Sequence, residues 1–321
     1  MINGLQRIAY FPASFFGMIM GVTGLSIAFL HLSKSVPMFT NVAIGNVIIA
    51  AILMVVLLGV YLYKTIRFFP EVKAEMKHPV KMNFIPAISI SLLLLSVAFY
   101  ALDLVQISQR LWIIGAVMQI SLTYWVLYNW VHHDFFTPEH SSPAWFIPIV
   151  GNIVVPIAGV HHAPMELNWF FFSIGLVFWI VVKSVVINRI IFHAPMQARL
   201  IPTLFIFIAP PAVGFISYLA LNDNQLNQFA MVLYFFGIAM TLLMLVSLHK
   251  FAKLDFALSW WAYTFPVAAM VIASYIMAAN SGQIGFQYIA YFLHALLMLL
   301  IVYLAYKTGQ AVKNKQICVD H

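Results

Sequence analysis

The chain has 321 residues, of which 64% are hydrophobic and 8% charged, and its mean hydropathy is +0.97. A soluble domain carries about 25% charged residues and could not cover its surface with so few. That excludes a cytosolic enzyme, a nucleic-acid binder and a disordered chain. An all-α polytopic membrane protein is left, because a membrane β-barrel would show alternating segments in place of long apolar runs.

A bilayer core of about 30 Å needs about 20 apolar residues per helix. Ten such runs occur, near 9–32, 38–63, 83–102, 111–131, 144–161, 167–192, 199–221, 228–249, 257–279 and 284–306. The first is too long for a cleavable signal and leads straight into the second. The gaps between runs are short and carry turn chemistry, as in Ser33–Pro37 and Asn222–Asn227. One membrane domain, 1–321, is expected, its ten helices packed as five hairpins.

Lysine and arginine set the orientation. With ten spans both termini share a side, and that side holds fourteen of the sixteen basic residues. Only Lys34 and Arg110 fall opposite. Both termini are therefore expected to be cytoplasmic, in a multi-pass protein of a bacterial inner membrane. The net charge of +7 then reflects basic loops and not a nucleic-acid partner. Cys318 is the single cysteine, so no internal disulfide and no cysteine-based metal site can form.

Odd and even spans differ. Each odd span has a proline after a large apolar residue: Phe11-Pro12, Ile85-Pro86, Ile147-Pro148, Ile201-Pro202 and Phe265-Pro266. The even spans have none in their interiors. Proline kinks a helix or sits harmlessly near its end. In a membrane a kink is tolerated where freed carbonyls meet protein or water. The alternation suggests an inner ring of five helices inside an outer ring of five.

The interior holds no Asp or Glu mid-span, which argues against acidic proton relays and a cation pore. Lys183 lies inside the sixth span and has two readings: it snorkels to the interface, or it draws anions to a cytoplasmic mouth. His294 is the one histidine deep in a span, and hydrogen-bonded packing is its simpler reading. His132-His133 and His161-His162 sit at loop edges and lack the spacing of a helical metal pair. No nucleophile elbow, phosphate loop or zinc motif occurs, so neither an enzyme nor a cofactor is expected.

The odd spans also carry small and weakly polar groups. Gly17 and Gly21 form a GxxxG pattern on the first, read either as close packing or as a narrow path. Asn152 lies on the fifth span and Thr264 on the ninth. Walls made of Gly17, Gly21, Asn152, Thr264 and the prolines Pro12, Pro86, Pro148, Pro202 and Pro266 would surround a nearly uncharged path. Its selectivity would come from dipoles and from basic mouths at Lys81, Lys183 and Arg199.

Four motifs occur together in chain order. They are Phe11-Pro12 with Phe16-Gly17 and Gly21; His78-Pro79-Val80-Lys81 with Asn83-Phe84; Ala209-Pro210-Pro211-Ala212-Val213-Gly214 with Ser217-Tyr218; and Trp260-Trp261-Ala262-Tyr263-Thr264-Phe265-Pro266. This combination resembles the tellurite-resistance/dicarboxylate transporter family, which includes the plant slow anion channels. The resemblance implies five hairpins in quasi-fivefold arrangement around a central pore, assembled as a homotrimer in the lipid bilayer. It implies a gate at Phe265, with Phe84 as a second pore phenylalanine, and an unobstructed path at Gly17. Phe265 has a physical case too, since the proline after it can aim the ring off the helix axis. The expected function is a passive channel for small inorganic monovalent anions such as chloride and nitrate. The alternative is a carrier for dicarboxylates such as malate or for tellurite-type oxyanions, whose site would need Lys183 or Asn152.

Overall fold

A computed structural model describes residues 4–318, and every regular element in it is helical. We number the spanning helices α1 (Phe16–Ser35), α2 (Thr40–Arg67), α3 (Ala87–Tyr100), α4 (Val105–His132), α5 (Phe146–Gly159), α6 (Met165–Phe192), α7 (Ala209–Leu221), α8 (Gln228–Val246), α9 (Thr264–Ser281) and α10 (Ile284–Lys313). Among the described residues nine helical segments are long and apolar enough to cross a membrane. The tenth, Pro143–Gly159, is shorter, and it lies where the fifth span was expected.

The two classes of helix are built differently. Each odd helix is entered through a 3-10 segment: Ala13–Phe15, Lys81–Phe84, Pro143–Trp145, Ala198–Ile208 and Leu258–Tyr263. The prolines sit in these entries or in the first turn that follows. Pro12 and Pro86 precede a helical segment, Pro148 and Pro266 are third in α5 and α9, and Pro202 lies inside Ala198–Ile208. There, Pro202 excepted, the missing N–H has no helical partner to lose. The prolines therefore mark where each inner helix begins, and only Pro156 lies deep within one. The even helices run 28, 28, 28, 19 and 30 residues without interruption.

Burial sorts the same two classes. For α1, α3, α7 and α9 with their entries, 72–83% of the apolar window is buried, against 22–33% for the even helices. In α5 every residue but Ile157 is buried. The even helices expose Val55, Val117, Val177, Val232 and Val302, aliphatic surface that suits lipid and not water. Each odd helix packs on its hairpin partner and on two odd neighbours, in the closed order α1, α3, α5, α7, α9 and back to α1. The inner ring inferred from the prolines is thus present.

One contact ties the ends of the chain. Arg7 donates to the Lys315 carbonyl at 2.6 Å, so the N- and C-terminal parts meet on one side, as an even number of spans requires. A short helix, Phe69–Lys77, fills the connection expected to be a basic loop. Its Glu75 is buried and forms an ion pair of 2.7 Å with Lys64 at the end of α2.

Candidate functional site

The centre of the ring is built where α1 and α9 meet. Glycine permits a close approach there. A Cβ on Gly21 would overlap the Thr264 side chain, and one on Gly24 would lie 2.6 Å from Ala268 Cβ. The same Gly24 position is 3.9 Å from Phe265 Cδ2, which sets the Phe265 ring beside the α1 backbone. The entry to α9 is pinned by two bonds. Thr264 Oγ1 donates to the Trp261 carbonyl at 2.8 Å, and Trp261 Nε1 donates to Thr308 Oγ1 of α10 at 3.0 Å.

Two cavities lie along the ring axis. One, of about 220 Å³, is lined toward the C-terminal ends of all five odd helices, by Ile27, Leu94, Ile157, Val213 and Ala269 among others. Its polar lining side chains are His31, His161 and Asn224. The other, of about 50 Å³, lies toward the entries and is lined by Gly17, Phe84, Val150, Ala209 and Pro266. Only Ser14 and Ser259 bring hydroxyls to it among the described residues. Among those residues Phe265 alone lines both cavities, and no Lys, Arg, Asp or Glu lines either. The Phe265 phenyl ring thus stands between the two cavities.

The other singled-out residues divide by place. Phe84, Gly17 and Pro266 line the smaller cavity with Phe265. Gly21 and Thr264 face each other in the α1–α9 seam. Pro12, Pro86, Pro148 and Pro202 belong to the helix entries and line neither cavity. Asn152 is fully buried in a polar cluster behind the ring. Its Nδ2 donates to Thr123 Oγ1 at 2.9 Å and to the Ile149 carbonyl at 3.0 Å. The Pro148 carbonyl beside it also accepts from Gln119 Nε2 at 2.9 Å and from Thr123 Oγ1 at 2.8 Å.

The basic candidates lie off the path as well. Lys81 and Arg199 are exposed on the entries to α3 and α7. Lys183 is held on the outer helix α6 over the rings of Trp179 and Phe236, at 5.2 and 4.9 Å. That contact suits a cation whose stem lies along an apolar face. His294 is hydrogen-bonded packing: its Nδ1 is 2.9 Å from the Tyr275 hydroxyl, and its ring meets Phe29 edge-on at 4.6 Å.

His31 and Asn224 carry no signal in the sequence, and His161 reads there as a loop-edge residue. No local pattern joins residues so far apart; only the closed ring brings them to one cavity.

An all-α bundle whose described residues include nine membrane-length helical segments, with five inner helices closed in a ring, defines a polytopic membrane protein. The chain belongs to the family described as SLAC1, voltage-dependent anion channel, whose match spans residues 10–309. An uncharacterized transporter of Methanocaldococcus jannaschii is 25% identical over 335 aligned positions, covering 98% of each chain. The tellurite resistance protein TehA homolog of Haemophilus influenzae is 24% identical over 302, covering 92% of this chain and 90% of its own. The S-type anion channel SLAH3 of Arabidopsis thaliana is 28% identical over 272, covering 82% of this chain and 42% of its own.

Proposed function

We propose that this membrane protein, whose family gives it a role in anion transport, is a passive channel for small monovalent anions, chloride and nitrate. Phe265 is its gate in this proposal. The observation that carries this reading is that one side chain alone borders both halves of the axial path. Turning the ring aside would join the two cavities without moving a helix. Phe84, on the wall of the smaller cavity, would narrow the path below it.

The chemistry of the walls favours monovalent ions. Moving a charge from water into an apolar passage has a cost that rises with the square of the charge. Among the described residues no Lys or Arg in either cavity offsets that cost for a dicarboxylate or a tellurium oxyanion. The carrier reading loses support for the same reason, since Lys183 and Asn152 both lie away from the cavities. Lys81 and Arg199, exposed at the entries, would concentrate anions at that mouth and feed the path. In this reading 1–321 is one membrane domain of a bacterial inner membrane, trimeric, with the entries and both termini on the cytoplasmic side.

Reversal potentials test the proposal. In planar bilayers with unequal chloride on the two sides, the current of Phe265→Ala should reverse near the chloride potential and grow linearly with voltage. Replacing chloride by malate should abolish it. Uptake of labelled malate into liposomes that saturates, with no chloride current, would overturn the channel in favour of the carrier.

A further inference from the structure

The wide cavity is apolar except at three places. His31 comes from α1, His161 from the turn after α5 and Asn224 from the turn after α7. Among the described residues none of the three side chains hydrogen-bonds another residue; His161 and Asn224 also open to solvent, and His31 is half-buried. Asn224 is held with φ 58, a left-handed turn that asparagine tolerates.

Each imidazole is backed by a tyrosine. Tyr100 stacks on His161 with centroids 4.1 Å apart and planes 9° from parallel. Tyr275 lies parallel to His31 at 6.4 Å, its hydroxyl tied to His294. An aromatic face within about 6 Å stabilises a cation stacked on it, so Tyr100 favours the protonated imidazole of His161. The apolar remainder of the wall raises the value of any charge placed there.

We propose that His31 and His161, with Asn224, form an anion-binding site at the wide end of the path, and that protonation of His161 sets how readily anions enter. The site takes small oxyanions and halides, which imidazolium and amide N–H groups can bind. Its role in conduction rests on the channel reading above.

The surrounding titratable groups are few. Lys34 stands one turn beyond His31 on α1, and its charge opposes a second positive charge on that imidazole. His162 adjoins His161 and bonds Ser108 Oγ at 2.8 Å. Facing elements carry Tyr100 and Asp103 after α3, Arg110 on α4, Glu166 on α6, Asp223 beside Asn224, and Tyr291 and His294 on α10. None of the carboxylates lines the cavity. Burial holds His161 below the ordinary histidine range, with no carboxylate to oppose it. It is therefore neutral at pH 7 and gains its charge on acidification, when an anion beside it also draws the proton on.

Two measurements on the full chain in nanodiscs and bilayers test this. Sodium nitrate is the probe for histidine NMR of the wild type, with His31→Gln and His161→Gln identifying the two signals. Nitrate is expected to shift both and to raise the pH at which His161 titrates. Currents of Phe265→Ala are expected to rise about tenfold when the wide side alone goes from about pH 7.5 to about pH 5.5. In His161→Gln on that background the rise should vanish. Imidazole signals that ignore nitrate overturn the site whatever the currents do. A rise that survives the His161 substitution overturns its control of entry. A silent Phe265→Ala protein whose imidazoles still answer nitrate keeps the site and overturns the channel reading instead.

Discussion

At the scale of single residues, the charges that matter to the fold are a pair that the composition hides. Lys64 and Glu75 are 3% and 6% exposed. Lys64 Nζ also donates to the Phe11 carbonyl at 2.8 Å, and Glu75 Oε1 accepts the Ala13 N–H at 2.7 Å. The carboxylate thus caps a helix entry whose first N–H groups have no helical partner. Removing one partner strands the other as a buried charge, while replacing both with apolar groups does not. Lys64→Met or Glu75→Gln should each cost about 3–5 kcal/mol, and Lys64→Met/Glu75→Leu should recover most of that. Denaturant unfolding in detergent measures it, and single variants as stable as the wild type would contradict the role.

The pair was not legible in the sequence. Glu71, Lys73, Glu75 and Lys77 read together as a solvated loop. The signal that could have found the helix is Val72, Glu75 and Met76, at i, i+3 and i+4, with Val72 and Glu75 buried. Phe265, the proposed gate, could be singled out for the opposite reason: its Phe-Pro step and the motif around it are contiguous in the chain. His31 and His161 were not, because their meeting is a property of ring closure.

At the scale of elements, inner and outer helices are distinguished by what they pack against. The proline pattern revealed which helices are inner, because proline placement is local. It did not reveal the 3-10 entries, whose form depends on the neighbours that cap them. The α1–α9 seam lies beside Phe265, and glycine is required there by contact, not by backbone angle. Gly21→Val should force α1 and α9 apart and reduce the yield of folded protein sharply. A Cβ added at Gly45 on α2 would meet nothing within 4 Å, so Gly45→Ala should be neutral or stabilise by up to about 1 kcal/mol. Size-exclusion profiles and melting temperatures of the two variants provide the comparison. A monodisperse Gly21→Val protein with the wild-type melting temperature would show that the seam has slack.

At the scale of the whole molecule, ten spans and one sidedness follow from the distribution of basic residues. The Arg7–Lys315 contact agrees with the even count. Cys318, near that contact, is a native reporter of the side. A membrane-impermeant maleimide should label it in inside-out vesicles and not in intact cells. Burial pushes its thiol above the usual cysteine range, and the thiolate is the reactive form, so labelling should quicken as pH rises. Labelling in intact cells would invert the proposed orientation and exchange the two mouths.

Everything proposed for conduction depends on Phe265 as the one barrier shared by the two cavities. The direct measurement is anion current in planar bilayers, wild type against Phe265→Ala, in symmetrical chloride. The expected result is a nearly silent wild type and a variant current at least about tenfold larger and linear in voltage, a loss of about 1.4 kcal/mol or more from the barrier. Equal currents from the two proteins, with both correctly folded, would contradict it.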